Sequence, residues 1–327
     1  MKGENQLLQA YLNEMSCCLY VTGEDAYSFL QSQFSNDLPS NGGSFACYGL
    51  WLNVKGRVLG DSVIVGSDSE NFYIFSENTE ARFIKENLEN HVIADDVSIE
   101  PIQLIGAILV NFKVAEFLTR KLGLIKDEAG DITSNYINVD FHVGAVFPRK
   151  FLSEEGFVFC FKHEAEYSLC RNVLEELSIH WISENEMHLK RLTSGIPLVP
   201  HEIGPNDLAG EGGLVPSAAS LTKGCYLGQE VVARLHHVGK AQRQLFVITF
   251  NRPDKADSIE LPLTLTKENR SLGELRTLYR DTIDSNKWYG VALLKVRYKN
   301  DVETDFKIGD SSVDSVCRLS EFSLGDK

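Results

Sequence analysis

Leu221-Thr222-Lys223-Gly224-Cys225-Tyr226-Leu227-Gly228-Gln229-Glu230-Val231-Val232-Ala233-Arg234 is the stretch on which the reading of this chain turns. Gly224 and Gly228 supply the backbone freedom that a tight turn needs. Gln229 to Leu235 has the composition of a helix, and Glu230 and Arg234 are spaced i,i+4 for an ion pair. Cys225 is therefore expected just ahead of a helix N-terminus and beside the cation Lys223, two features that stabilise a thiolate. The competing reading, a buried cysteine with no chemical role, fits a Gly-rich polar loop poorly.

The other cysteines read differently. The chain has seven: Cys17, Cys18, Cys47, Cys160, Cys170, Cys225 and Cys317. An odd number, no Cys-x-x-Cys and no visible secretory signal between Met1 and Met15 argue against a disulfide framework and for reduced thiols in the cytoplasm. Most sit in apolar runs such as Phe157-Val158-Phe159-Cys160-Phe161, where a free cysteine packs as a small hydrophobe.

Working outward, the loop ahead of the signature, Ile196 to Ser220, carries Pro197, Pro200, Pro205 and Pro216, which exclude long regular structure. Loops of that length inside compact proteins are usually functional. Further upstream, strand and helix signals alternate. Cys17 to Val21 reads as a strand, and the helix after Thr22-Gly23 places Ala26, Phe29, Leu30 and Phe34 on one face. Phe45 to Val65 reads as a hairpin turning at Lys55-Gly56, followed by a strand at Phe72 to Phe75, a helix at Ala81 to Leu88 and a strand at Val97 to Ile102. A similar pattern follows: strand Leu104 to Val110, helix Val114 to Leu122, strands Phe141 to Phe147 and Phe157 to Phe161, helix Glu164 to Leu177. After Gln244 only short strands remain, at Leu245 to Phe250, Leu261 to Leu265, Leu272 to Leu278 and Tyr289 to Val296, as expected of a small barrel. The class is α+β, with domains at 1–102, 103–243 and 244–327.

Composition bounds the function. Of 327 residues, 43% are hydrophobic and 24% charged, which describes a globular protein. No apolar run approaches the roughly 20 residues of a spanning helix, so no membrane partner is expected. The net charge of −14 repels phosphates, so no direct nucleic-acid partner is expected either. His236 and His237 are adjacent and cannot chelate one metal from a helix, so no metal site is assigned. Gly210-Glu211-Gly212-Gly213 lacks the pattern of a phosphate loop, and Asp95-Asp96 reads as a loop pair.

Lys223-Gly224-Cys225-Tyr226-x-Gly228-Gln229-Glu230-x-x-x-Arg234 resembles the signature of the YgfZ family, relatives of the glycine-cleavage T-protein, an aminomethyltransferase. Weaker matches follow in order along the chain: Gly23-x-Asp25 with Phe29-Leu30-Gln31-x-Gln33-x-x-Asn36-Asp37, Lys55-Gly56-Arg57, Arg191-Leu192-x-x-Gly195-Ile196-Pro197, Asp207-Leu208-x-x-Glu211-Gly212-Gly213 and Trp288-Tyr289-Gly290-x-Ala292-Leu293. The resemblance implies two ferredoxin-like, T-protein-like α+β domains and a C-terminal β-barrel around a central hole for tetrahydrofolate or a folate derivative. It implies a monomeric accessory protein for synthesis or maintenance of iron–sulfur cluster enzymes, including tRNA-modifying ones. Partners would be those enzymes or their assembly factors, and Cys225 the essential residue with Lys223 and Arg234 beside it. Lys55, Arg57, Arg191, Thr193, Tyr226 and Gln229 are the implied folate contacts. An aminomethyltransferase-like one-carbon enzyme is the alternative. Two departures from the T-protein weigh against it: Arg82 stands where that enzyme has a catalytic Asp, and Thr193 where it has the Glu that bonds the pterin.

Overall fold

A computed structural model describes residues 8–40, 44–66, 68–124, 137–140, 144–151, 154–239, 241–251, 259–303, 306–308 and 311–324. The described strands form three sheets. The first has the order Phe45–Leu52, Val58–Gly66, Asn71–Ser76, Cys17–Thr22, Ser98–Pro101. Its central strands bury most of their residues, and Cys17–Thr22 is antiparallel to both neighbours. The helices Ala26–Gln33 and Ala81–Glu89 bury Ala26, Phe29 and Leu30, and Ile84 and Leu88. These are positions three and four apart, as a one-sided apolar stripe requires.

The second sheet runs His180–Trp181, Gln9–Asn13, Gly106–Asn111, Glu154–Phe161, Gly144–Phe151, Asn138–Asp140. The helices Phe112–Lys121 and Glu164–Glu176 cover it, bringing Val114, Ala115, Leu118, Cys170 and Leu174 against Ile108, Val110, Phe157, Phe159 and Phe161. Asn111 starts the first of these helices by accepting the Val114 N–H at its side-chain oxygen. Of the strand expected at Phe141 to Phe147, residues 141–143 lie outside the described residues, and the rest begins at Gly144. Gly144 has φ +108°, and a Cβ there would stand 1.9 Å from the Cys160 carbonyl oxygen, so the position admits only glycine.

The third sheet is antiparallel, in the order Leu263–Lys267, Arg270–Arg280, Lys287–Lys295, Arg243–Asn251, Ser311–Arg318, Lys307–Ile308. Its register slips between Leu275 and Thr277 and between Thr249 and Phe250. Such bulges add twist, and the sheet curls into a half-barrel over a core of Phe246, Ile248, Phe250, Leu275, Trp288 and Leu294. The expected C-terminal barrel is thus present as a curled six-stranded sheet. No described helix is long and apolar enough to cross a membrane.

The chain forms two compact units. One comprises residues 1–31, 38–48 and 62–184, and holds most of the first sheet and the whole of the second. The other comprises 32–37, 49–61 and 185–327. It carries the half-barrel, the Gly/Pro-rich loop and the signature, together with two pieces from the N-terminal third of the chain. Those two pieces build the site.

Candidate functional site

The helix that follows the signature loop is Gln229–Val238, and its N-cap, Gly228, has φ +83°. A side chain there is unfavourable on conformational grounds and also has no room. A Cβ on Gly228 would meet the Asn53 carbonyl oxygen at 2.7 Å and the Gly56 Cα at 3.1 Å. Gly56, at φ +68°, faces the same junction, where an added Cβ would lie 2.8 Å from Val231 Cβ. The two glycines let the hairpin turn and the signature helix approach backbone to backbone. Asn53 shapes that turn by accepting the Lys55 and Arg57 N–H groups at its side-chain oxygen. The Lys55-Gly56-Arg57 turn and the signature are therefore neighbours.

Lys223 is buried, and its ammonium donates to the carbonyl oxygens of Phe34 (2.7 Å) and Asn36 (2.6 Å) while lying 5.0 Å over the Tyr226 ring. The sequence placed this cation beside the thiol; in the structure its donors hold the signature loop to the Ser32–Asp37 segment. Backbone bonds complete the attachment. Leu227 N donates to Ser32 O and Ser220 N to Ser35 O. The fully buried Ser35 hydroxyl joins Ala218 O to Leu50 N. Gln229 closes the loop on itself through Nε2 to Lys223 O at 3.1 Å. Tyr226 is buried, and burial pushes its hydroxyl up to about 12.

On this anchored loop the Cys225 thiol is exposed. Cys17, Cys18, Cys47, Cys160 and Cys170 are buried and Cys317 is half-buried. Burial pushes the thiols of Cys18 and Cys170 up to about 12, and raises those of Cys17 and Cys160 as well. Cys225 precedes the first helical residue by four positions, outside the first turn where the helix dipole acts. Glu230 and Arg234 are both exposed, and no ion pair joins the two.

The loop ahead of the signature is held by three buried carboxylates that the sequence reading did not assign. Glu202 takes both arms of Arg191 (2.7 and 2.9 Å), the Thr277 hydroxyl and the Leu198 N–H. Asp207 takes both arms of Arg276 and the Gly204 N–H. Glu211 takes Arg243 in two bonds and the Leu208 N–H. Burial disfavours the charge on Arg191, but Glu202 and Tyr279 outweigh it and raise its pKa. Acidic residues spaced through a Gly/Pro-rich loop were the available signal.

Of the residues implied as folate contacts, Arg191 is thus occupied by Glu202, Ile196 O and Tyr279. Thr193 is exposed and donates to Lys190 O at the end of the helix Glu184–Thr193. Arg57 uses one nitrogen on Asn206 O, and Lys55 is exposed. Arg82 belongs to the other unit, where its exposed guanidinium pairs with Glu86 at 2.7 Å. His236 and His237 are exposed and meet edge to face, 5.3 Å between ring centroids.

Residues 9–217 match the GCVT N-terminal domain family. This chain belongs to that family. The tRNA-modifying protein YgfZ of Colwellia psychrerythraea is 24% identical over 288 residues, covering 84% of this chain and 83% of that protein. The mitochondrial iron–sulfur cluster assembly factor IBA57 of Mus musculus is 25% identical over 273 residues, covering 78% of this chain and 71% of that protein. The glycine cleavage system aminomethyltransferase T from Bartonella henselae superposes with a TM-score of 0.71 at 14% identity, over 90% of this chain and 80% of that one. That last likeness establishes the GCVT-type fold. The YgfZ resemblance read from the signature is shown by the matches along most of the chain.

Two outcomes follow. In competitive alkylation of the folded protein at pH 8 with peptide mapping, Cys225 labels first. Cys18 and Cys170 are buried, and burial raises their pKa, so labelling of either ahead of Cys225 contradicts this. Arg191→Met strands Glu202, whose side chain is 0% exposed; removing one partner of such a pair costs about 3–5 kcal/mol. Denaturant unfolding checks it, and a loss below about 1 kcal/mol would show that Glu202 is satisfied without the arginine.

Proposed function

We propose that this GCVT-family chain is a folate-binding accessory protein for the synthesis or maintenance of iron–sulfur cluster enzymes, tRNA-modifying ones among them, and that it acts through Cys225. The observation that carries the reading is the Cys225 environment: of the seven cysteines only this one is exposed, and its loop is anchored from below by a buried lysine. An exposed cysteine on a fixed loop is accessible to partners, and it is the thiolate form of a cysteine that acts as nucleophile and soft metal ligand. The relatives named for tRNA modification and for iron–sulfur cluster assembly support the same reading, with iron–sulfur enzymes or their assembly factors as partners. The division at residues 102 and 243 belongs to the same proposal.

A folate derivative fits the groups that remain available near the signature. Lys55 and the other nitrogens of Arg57 suit the carboxylates of a glutamyl tail, and the Gln229 side-chain oxygen is an acceptor. When bound, such a ligand supplies a one-carbon carrier. Arg191 orients the loop and is assigned no contact with the ligand. Thr193, on an exposed helix end, is likewise left out.

The second reading, an aminomethyltransferase-like enzyme, is favoured by the family match and the shared fold. Arg82 opposes it. Where one-carbon transfer would use a carboxylate, the chain has a cation ion-paired in solvent. Incubation with an aminomethyl-lipoyl carrier and tetrahydrofolate is expected to give no transfer.

The direct test is rescue of a bacterial strain that lacks its own YgfZ. The wild-type chain restores iron–sulfur enzyme activity and Cys225→Ser does not, although both melt alike, since Cys225 is exposed and its loss leaves no cavity. Equal rescue by a folded Cys225→Ser would remove the thiol from the mechanism.

A further inference from the structure

Side chains hold Lys223 by both polar groups of its backbone. Its N–H donates to the Ser220 hydroxyl oxygen at 3.1 Å, and its carbonyl oxygen accepts Gln229 Nε2 at 3.1 Å. Gln229 belongs to the signature, whereas Ser220 lies outside it, at the end of the Gly/Pro-rich loop. The Ser220 hydroxyl also accepts the Thr222 N–H at 3.3 Å. A serine oxygen that takes the N–H groups two and three residues on builds a compact turn. This turn is fixed from behind. Ser220 N donates to Ser35 O at 2.9 Å, and Ser35 is fully buried, its own hydroxyl joining Ala218 O to Leu50 N. The turn therefore starts at a buried fixed point and ends on Lys223, two residues ahead of the thiol.

Between Lys223 and Cys225 packing gives no guidance. Gly224 is exposed, and a Cβ built on it would meet nothing within 4 Å. The direction in which the chain enters Cys225 has to be fixed at Lys223 itself. We propose that Ser220 is a positioning residue for Cys225: its hydroxyl sets the course of the Lys223 backbone, so that the ammonium meets the Phe34 and Asn36 carbonyls and the thiol faces outward to a partner. The role deepens the Cys225 reading above and rests on it. Ser220 acts through Lys223 and takes no part in chemistry at the sulfur.

The test compares Ser220→Ala with Ser220→Thr, which keeps the hydroxyl. Ser220 is half-buried, so both variants fold and melt close to the wild type. In Ser220→Ala, amide exchange quickens by about five- to tenfold, the equivalent of one lost hydrogen bond. It does so at Leu227 as well as at Thr222 and Lys223. Leu227 is the decisive position: it lies beyond Cys225 and bonds Ser32 O, so a turn of local importance alone would leave it unchanged. In a bacterial strain lacking its own YgfZ, Ser220→Ala falls towards the level of Cys225→Ser, and Ser220→Thr restores iron–sulfur enzyme activity. Wild-type exchange at Leu227 in Ser220→Ala overturns the positioning role, and so does full rescue by Ser220→Ala where Cys225→Ser fails; both leave the thiol reading standing. Full rescue by folded Cys225→Ser overturns both.

Discussion

The structure of the second unit depends on how Arg191, Arg276 and Arg243 meet Glu202, Asp207 and Glu211. A segment with four prolines and several glycines has no ladder of backbone bonds to hold it, so its order must come from side chains. Each carboxylate both accepts a two-pronged arginine and takes a backbone N–H of the loop. Two of the arginines arrive on strands of the half-barrel, Arg243 from Arg243–Asn251 and Arg276 from Arg270–Arg280. The loop is thereby fastened to the curled sheet. Buried ion pairs contribute little net stability compared with apolar packing. What they supply here is one geometry for a segment that would otherwise have many.

The signature is then fastened from the other side. Lys223 reaches back to two carbonyls of the Ser32–Asp37 segment, and Gly228 meets Gly56 where no side chain would fit. Ammonium donors on the carbonyl oxygens of Phe34 and Asn36 help to keep the cation buried. The same contacts leave Cys225 facing outward. The hydrogen bonds of the lysine hold the loop that carries the thiol.

Much of the fold was legible because its elements carry strong local patterns. The hairpin at Phe45–Leu52 and Val58–Gly66, the helices Phe112–Lys121 and Glu164–Glu176, and the exposed character of Cys225 all follow from periodicity and loop composition. The strand Gln9–Asn13 did not show. It lies inside the second sheet, yet it buries Ala10 and Asn13 and exposes Leu12, which breaks the usual alternation. The helix Glu184–Thr193 buries only Leu189 and Leu192, too few for a stripe. Partner choice was the other blind spot. Arg191 could be recognised as a motif residue, but nothing local reveals that Glu202, eleven positions on, absorbs its guanidinium. Glu230 and Arg234 had the right spacing for a pair, and no ion pair joins the two.

The central claim is that Lys223 positions the Cys225 loop through the Phe34 and Asn36 carbonyls. Amide hydrogen exchange on Lys223→Met tests it most directly. The account predicts faster exchange at Leu227, whose N–H bonds Ser32 O, by about tenfold or more as the loop opens locally. The half-barrel stays protected. Unchanged protection at Leu227 in a folded Lys223→Met would contradict it.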